Sequence, residues 1–288
     1  RFRKIMLTVH TIAELRQQLN AARRAGKKTA FVPTMGNLHR GHMSLVEEAV
    51  RQADLVVASI FVNPLQFGVN EDLDSYPRTL EEDQQKLAHY GCQLLFAPSA
   101  HEMYPRGSDI QTVVEVRSLS DLHCGNTRPT HFRGVATVVT KLFGIVQPDI
   151  AVFGKKDYQQ LAVIRQLTED LSLPVDIIGV ATGRAESGLA LSSRNGYLTE
   201  AELAIAPTLY ATLSELAAQL KQGNRDFQAL EEHANQQLES FGFERDYIHI
   251  CRQSDLKTPT AHDHLLVILA AAQLGSARLI DNLEVILN

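Results

Sequence analysis

Two histidines, His39 and His42, sit three residues apart inside the stretch Phe31–Val46, which reads FVPTMGNLHRGHMSLV. An apolar strand end, a turn containing Gly36 and Gly41, and a helical pattern follow one another there. We expect the start of that helix to point free N–H groups at the turn, where they can hold a phosphate. Imidazoles at that point can bind phosphate oxygens and stabilise charge at an attacked phosphorus. The pattern predicts nucleotidyl transfer, although an isolated histidine there is more often a helix cap or a solvated side chain.

Polar amides follow the next apolar run. Leu55–Val62 is continuous and rich in β-branched residues, as in a central parallel strand, and Asn63 and Gln66 come just after it. Open α/β sheets bind ligands beyond the carboxyl ends of their strands, so both amides are substrate-binding candidates. A simple turn at Asn63-Pro64 is an equally good interpretation.

A second strand–turn–helix pattern supplies two lysines. The strand-like run Ile150–Phe153 leads into the turn Gly154–Asp157 and then a helix over Tyr158–Leu171. Lys155 and Lys156 in the turn can contact phosphates as point charges. Two solvated lysines would be the ordinary case, but their position after a strand favours a function.

Two charged positions near helix starts need an explanation. Arg133 lies at the start of a helix predicted over Val135–Val146, where a cation is mildly unfavourable, so we expect an anionic partner, either a protein carboxylate or a ligand. Glu82 and Asp83 lie near the start of a helix that begins at Leu80, where acids are ordinary. A metal role for Glu82 or Asp83, near a bound magnesium–nucleotide, is the less favoured alternative.

Strands and helices alternate up to about residue 180, with a further short strand expected at Val113–Val116. This alternation predicts an α/β fold in which residues 1–180 form a doubly wound, Rossmann-like parallel sheet that binds the nucleotide and the substrate. The polar stretch Ala181–Asn195 that follows reads as a mobile hinge or, alternatively, as an exposed linker. It ends in two hydroxyls and a cation, Ser192, Ser193 and Arg194, which suit a triphosphate.

The remaining chain, residues 181–288, predicts a smaller α+β lid domain. A capping box at Thr199 and Glu202 opens a long helix that ends at Gly223, and a second helix covers Asp226–Phe241. Three strand-like runs then predict an antiparallel sheet, at Tyr247–Cys251, Leu265–Ala272 and Arg278–Val285.

Composition excludes several classes of partner. A net charge of −5 over 288 residues disfavours wholesale binding to nucleic acid or to an anionic membrane. Cys92, Cys124 and Cys251 form no C-x-x-C pair, which favours the reducing cytoplasm and argues against a disulfide framework or structural zinc. No apolar run is long enough to span a bilayer.

Six motifs, in order along nearly the whole chain, resemble the pantothenate synthetase family. They are MGNLHRGH at Met35–His42, FVNPLQF at Phe61–Phe67, YPRT at Tyr76–Thr79, HFRGV at His131–Val135, FGKKDYQQ at Phe153–Gln160 and LSSRN at Leu191–Asn195. The resemblance implies an ATP-dependent, Mg²⁺-requiring condensation of pantoate with β-alanine through a pantoyl-adenylate, releasing pyrophosphate and AMP. It also implies a homodimer formed through the first domain. H-x-G-H alone would indicate only the wider superfamily of nucleotidylyltransferases and class I aminoacyl-tRNA synthetases.

The resemblance also implies roles for individual residues. His42 matches the catalytic histidine, and His39, Lys156 and Arg194 are further catalytic candidates. Gln66 and Gln160 match the pantoate-binding glutamines, with Gln66 also near the β-alanine site; Asn63 and Arg133 join them as substrate candidates. Gly183 matches a main-chain contact to the nucleotide, at a position where the family usually has a larger apolar residue. The ATP-binding set is Met35, Gly36, Asn37, Leu38, His39, Arg40, Gly41, His42, Gly154, Lys155, Lys156, Asp157, Gly183, Leu191, Ser192, Ser193 and Arg194.

Rival functions stay open on the sequence. A cytidylyltransferase-type enzyme would use similar motifs and release pyrophosphate without forming AMP. A non-enzymatic nucleotide-binding module would bind ATP without turnover. An aminoacyl-tRNA synthetase is disfavoured by the acidic balance and by the lack of an anticodon-binding region.

Overall fold

The computed structural model describes residues 6–68, 73 and 76–287. The chain divides into two compact units. Unit 1 comprises the chain up to Ser120, Thr127–Lys155 and Gln160–Ala181, and unit 2 comprises Asp121–Asn126, Lys156–Gln159 and the chain from Thr182. Two short segments inside the first part of the sequence therefore pack with unit 2.

Unit 1 is built on a six-stranded parallel sheet, which confirms the doubly wound α/β prediction. Its strands are β1 (Leu7–Val9), β2 (Thr29–Thr34), β3 (Leu55–Ile60), β4 (Leu94–Phe96), β5 (Ile150–Gly154) and β6 (Asp176–Val180). Their spatial order is β1-β4-β3-β2-β5-β6. The order reverses between β2 and β5, which pair through Ala30 and Ile150, so their carboxyl ends flank the switch point where such sheets bind ligands.

Successive residues of the central strands are buried, so both faces of this sheet are covered, which explains why these strands are apolar on both sides. The helices up to residue 170 are α1 (Ile12–Arg24), α2 (Arg40–Gln52), α3 (Leu80–His89), α4 (Ala100–Met103), α5 (Arg117–Ser120), α6 (Cys124–Thr127), α7 (His131–Val146) and α8 (Tyr158–Asp170). The strand predicted at Val113–Val116 is wrong, because these residues belong to no strand. The Val114 N–H donates to the Thr137 hydroxyl at 2.9 Å instead of to a neighbouring strand.

Unit 2 contains the predicted antiparallel sheet, formed by β7 (Glu244–Arg252), β8 (Leu265–Leu274) and β9 (Ala277–Ile286). Its helices are α9 (Glu200–Ile205), α10 (Thr208–Lys221) and α11 (Phe227–Ser240), and α10 and α11 pack on the sheet around one apolar core. The single long helix predicted from the capping box to Gly223 is therefore wrong. It breaks at Ala206-Pro207, because proline has no N–H to continue the hydrogen-bond ladder.

Residues 183–191, within the stretch predicted to be a mobile hinge, form a compact hairpin in unit 2. Arg184 and Ala190 form an antiparallel bridge, and the Leu191 N–H donates to the Gly183 carbonyl at 2.9 Å. The Arg184 guanidinium makes a bidentate ion pair with Asp281 on β9, at 2.6 and 2.8 Å, and lies 3.6 Å from the ring centroid of Tyr210. This bidentate pair, between a partly buried guanidinium and a buried carboxylate, holds the hairpin on the sheet.

A histidine pair joins the segment Asp121–Asn126 to β7. The Nδ1 atoms of His123 and His249 are 2.8 Å apart, and His123 Nε2 lies 2.7 Å from the Leu256 carbonyl oxygen. Burial lowers the pKa of His123, and burial together with the neighbouring His123 lowers the pKa of His249 to about 4. The buried amide of Gln159 bonds the same segment, donating to the Leu122 carbonyl at 2.6 Å.

No helix among residues 6–68, 73 and 76–287 has both the length and the apolar character needed to cross a bilayer.

Candidate active site

The two histidines of the H-x-G-H motif form a reciprocal cap on α2. His39 is the N-cap residue, and its Nδ1 accepts from the Gly41 N–H at 3.1 Å. In return, the His39 N–H donates to His42 Nδ1 at 3.2 Å. The two rings lie 4.1 Å apart, centroid to centroid. The three-residue spacing thus reproduces a capping box with imidazoles in place of the usual hydroxyl and carboxylate, so the capping interpretation is correct for both rings.

This arrangement fixes the tautomer of each neutral ring. A backbone N–H can only donate, so Nδ1 of both His39 and His42 must be unprotonated. The hydrogen of each neutral imidazole therefore lies on Nε2. The donor of each neutral ring is therefore Nε2–H, a group from which a phosphate oxygen can accept.

The Asp83 carboxylate stabilises the turn before α2 by hydrogen bonds to its backbone. Gly36 and Asn37 both have left-handed backbone angles, with φ of 86° and 51°. The fully buried carboxylate of Asp83 accepts from the N–H groups of Asn37 and Leu38, both at 2.8 Å. A Cβ at Gly36 would lie 3.2 Å from the Asp83 carboxylate, so a side chain there would crowd this support.

These contacts correct the expected phosphate cradle. The N–H groups of Asn37, Leu38 and Gly41 are bonded within the protein and are not free for an anion. They also favour the structural role of Asp83, which takes a further bond from the Thr79 hydroxyl at 3.1 Å, over the metal role. The magnesium assignment of Asp83 stays a prediction.

Asn63 has a different role from the one predicted for it. Its side chain is 1% exposed, and its oxygen accepts from the Leu65 N–H at 3.3 Å and from the Tyr104 hydroxyl at 2.8 Å. Its NH₂ group donates to Gln66 Oε1 at 3.0 Å and to the Gly134 carbonyl at 3.2 Å. Both donors and both acceptor positions are in use, so Asn63 organises the 3-10 turn Pro64–Gln66 and has no group left for a substrate.

Gln66 is held by its main chain as well as by its side chain. Its carbonyl oxygen accepts from His131 Nδ1 at 2.8 Å and from the Arg128 guanidinium at 3.4 Å. Arg128 also bonds His131 Nε2 at 3.1 Å, so the neutral ring carries its hydrogen on Nδ1. The side-chain Nε2 of Gln66 has no hydrogen-bond partner among the described residues, and this amide is available to a ligand.

Close packing of α7 against this turn depends on Gly134. A Cβ built at Gly134 would lie 2.0 Å from the Leu65 carbonyl oxygen and 2.9 Å from the Gln66 nitrogen. Only a residue without a side chain permits that approach. The HFRGV motif thus contributes a helix surface that determines where the Gln66 turn lies.

Two further predicted substrate residues of unit 1 remain unpaired within the described part of the chain. Arg133 is half-buried in the first turn of α7, and no described carboxylate pairs with it. Gln160 is half-buried in the first turn of α8, and its amide has no described partner.

Within unit 2, Lys156 and Ser192 each interact with neighbouring groups of the protein. Lys156 lies 3.8 Å from Asp157 as an ion pair, and its carbonyl accepts from Asn282 on β9 at 2.8 Å. Ser192 caps a 3-10 turn over Ser193–Tyr197 by accepting from the Arg194 N–H at 3.2 Å.

Several supporting residues could not be identified from the sequence. Tyr104, Arg128 and Arg184 each act through a partner distant in sequence, and no local spacing signals such a contact. His131 belongs to a recognised motif, yet its ring serves the Gln66 carbonyl. Burial raises the pKa of Tyr104, so its hydroxyl stays protonated and acts as a donor.

Comparison with known proteins gives consistent matches over nearly the whole chain. Residues 7–284 match the family model described as pantoate-beta-alanine ligase. The chain is 59% identical to a pantothenate synthetase of Pseudomonas fluorescens strain Pf-5, covering 97% of this chain and 98% of that protein. A crystal structure of pantothenate synthetase from Thermus thermophilus superposes with a TM-score of 0.90 at 46% identity, covering 96% of this chain and 99% of the other.

A second solved structure is informative about ligands. The pantoate-beta-alanine ligase of Francisella tularensis was crystallised with beta-gamma ATP and beta-alanine. It has a TM-score of 0.82 and 35% identity to this chain, covering 96% of this chain and 97% of the other.

Proposed function

Because this chain belongs to the pantoate–β-alanine ligase family, we propose that the carboxyl edge of its parallel sheet binds the ATP and the pantoate of that family's reaction. The reaction is the ATP-dependent condensation of pantoate with β-alanine, which yields pantothenate, AMP and pyrophosphate. One observation carries the location. The donor histidines after β2 and the available amide of Gln66 after β3 lie beside the switch point between β2 and β5.

The first chemical step is activation of the pantoate carboxylate. A carboxylate oxygen attacks the α-phosphorus of ATP, the bond to the β-phosphate oxygen breaks, and pyrophosphate leaves. We assign His42, with His39 beside it, to stabilise the charge on the phosphate oxygens through Nε2–H. The second step is attack of the β-alanine amine on the acyl carbon of pantoyl-adenylate, with loss of a proton and release of AMP.

The protein's contribution to both steps is position and charge. We propose that Gln66 and Gln160 bind the oxygen atoms of pantoate, and that Arg133 pairs with an anionic group of the substrates. The family resemblance assigns ATP to Met35–His42, Gly154–Asp157, Gly183 and Leu191–Arg194, with Lys156 and Arg194 as cations for the phosphates.

We propose that Mg²⁺ enters with ATP. Magnesium is usually held by one or two carboxylates together with substrate phosphates, and it neutralises charge on them. Among the described residues, no group of three histidine, cysteine or acidic side chains could hold a metal by itself. We therefore propose that the phosphates of ATP supply most of the ligands of this ion.

We further propose a homodimer in the cytoplasm. The resemblance supports the dimer. The cysteines Cys92, Cys124 and Cys251 are unbridged, which supports a reducing compartment. Light scattering of the purified protein would give the mass of the assembly, and a mass of one chain would contradict the dimer.

The deciding experiment is AMP formation with ATP and Mg²⁺ in the presence of pantoate, of β-alanine, and of both. We expect rapid AMP formation only with both substrates. Pantoate alone should support exchange of labelled pyrophosphate into ATP, because activation precedes attack by the amine. An exchange that strictly requires β-alanine would contradict the adenylate route, and pyrophosphate release without AMP would indicate a nucleotidylyltransferase.

A further inference from the structure

We infer that Asn63 and Tyr104 are positioning residues that fix the polarity of Gln66, so that Gln66 offers pantoate N–H donors and never a carbonyl oxygen. The inference rests on the proposed function for the identity of the ligand. An amide side chain can present either its oxygen or its NH₂ group after a simple flip. Which group faces the substrate determines which substrate atoms are accepted.

The backbone fixes the orientation of Asn63. The Leu65 N–H is a donor only, so the Asn63 atom 3.3 Å from it must be the oxygen. The Gly134 carbonyl is an acceptor only, so the Asn63 atom 3.2 Å from it must be the NH₂ nitrogen. These two groups lie on opposite sides of the amide and require the same orientation.

Tyr104 reinforces that orientation. Its ring is 4% exposed, and its hydroxyl lies 2.8 Å from the Asn63 oxygen. A protonated phenol donates to that oxygen, and a flipped Asn63 would instead place an NH₂ group in the same position. Lys141 lies over the Tyr104 ring with Nζ 5.2 Å from its centroid.

The orientation of Asn63 then determines that of Gln66. The NH₂ group of Asn63 faces Gln66 at 3.0 Å, so the facing atom of Gln66 must be its acceptor, Oε1. The Nε2 group is directed away from Asn63 and has no partner in the described part of the chain. Its two hydrogens match the carboxylate and hydroxyl oxygens of pantoate, which makes the site a donor site for an oxygen-rich acid.

Two variants test this chain of contacts by binding measurements. Asn63→Asp replaces the donor that faces Gln66 with an acceptor, and Tyr104→Phe removes one donor to Asn63 while keeping the ring. We expect the Kd for pantoate to rise by about tenfold or more in Asn63→Asp and by roughly 3- to 10-fold in Tyr104→Phe. The Kd for ATP should stay within about twofold of the parent in both. Tyr90→Phe, outside this network, is the matched control and should change neither constant.

If Asn63 had only a structural role, Asn63→Asp would weaken the binding of pantoate and ATP to the same extent. Alternatively, it would lower stability without raising the Kd for pantoate more than the Kd for ATP. Equal losses for ATP and pantoate, or an unchanged pantoate Kd in the folded Asn63→Asp protein, would overturn the inference. Tyr104→Phe keeps the test valid if Asn63→Asp does not fold, because a pantoate Kd equal to that of the parent would also contradict the inference.

Side-chain amide hydrogen exchange gives a readout that does not depend on activity. In ligand-free parent protein the Asn63 NH₂ should be protected and the Gln66 NH₂ should exchange rapidly. In Asn63→Asp the Gln66 amide should flip toward the new acceptor and become protected. A Gln66 NH₂ already protected in the parent would refute the assigned polarity. A parent that forms no AMP would refute the proposed function alone, because the exchange result still decides the polarity.

Discussion

Replacing Gly134 with alanine should move the turn that carries Gln66 while leaving the Gln66 side chain itself unchanged. The added methyl group would lie 2.0 Å from the Leu65 carbonyl oxygen, whereas ordinary contacts begin at 3.4 Å. Backbone lies on both sides of this contact, so no flexible side chain can move out of the way. The turn carrying Leu65 and Gln66 must therefore move away from α7 by roughly 1 Å or more.

The size of the effect follows from that displacement. A misplacement of about 1 Å in a positioning group can lower the rate by about 10². Overpacking costs about 1–3 kcal/mol of stability, and replacing a helical glycine with alanine returns up to about 1 kcal/mol. We therefore expect a kcat/KM for pantoate reduced by about 10² in a protein destabilised by only about 0–2 kcal/mol.

Steady-state kinetics with AMP detection, together with urea unfolding, would measure both quantities. Gly144→Ala is the matched control, because it lies on the same helix and its new methyl group would meet nothing within 4 Å. The control should be stabilised by about 0.5–1 kcal/mol with unchanged kinetics. A Gly134→Ala protein with the kcat/KM of the parent would refute the argument that this contact positions Gln66.

Three other predictions concern separate parts of the molecule. His42→Ala should lower the single-turnover adenylation rate by roughly 10²–10⁴, and a near-normal rate in rapid quench would remove His42 from catalysis. Gln160→Ala should weaken pantoate more than ATP by about 1–3 kcal/mol in calorimetry, whereas Gln159→Ala, which loses bonds inside unit 2, should mainly lower stability. In the folded protein, the pKa values of His123 and His249 lie below the unfolded value of 6.5, and that of His249 is about 4. As the pH falls, the unfolded chain therefore binds protons at a higher pH than the folded protein does. Stability should therefore decrease by about 1–2 kcal/mol between pH 6.5 and 4, and urea midpoints that rise on acidification would contradict this sign.

The sequence predicts the alternating strands and helices well because their periodicity is local. β2, β3 and β5 each contain a run of at least three consecutive apolar residues, and β7 to β9 are rich in β-branched and aliphatic residues. The errors arise where a tertiary contact replaces a local preference. Val113–Val116 has the composition of a strand, but its neighbour is the Thr137 side chain. The long helix expected after Thr199 ignored the effect of Pro207 on its hydrogen bonds.

The sequence nominates residues of the candidate site, whose assignment stays a prediction, but it does not reveal the hydrogen bonds among them. Strand ends and motifs identified His39, His42 and Gln66, whereas no spacing shows that Asn63 already uses every hydrogen-bonding position it has. The free backbone donors expected before α2 were also a local inference. They are bonded to Asp83, whose position 45 residues beyond Leu38 no pattern connects to the turn.

The assignment of Asp121–Asn126 and Lys156–Gln159 to unit 2 limits how this protein can be dissected. A fragment that starts at Thr182 would contain β7 but would lack His123, the partner of His249, and Gln159, which binds the chain around Leu122. Conversely, a fragment that ends at Ala181 would expose those same buried polar groups to water. The two units are therefore compact in space but interleaved along the chain. A hybrid enzyme that takes unit 2 from a relative should carry both short segments with it, because a single cut near residue 181 would mismatch these contacts.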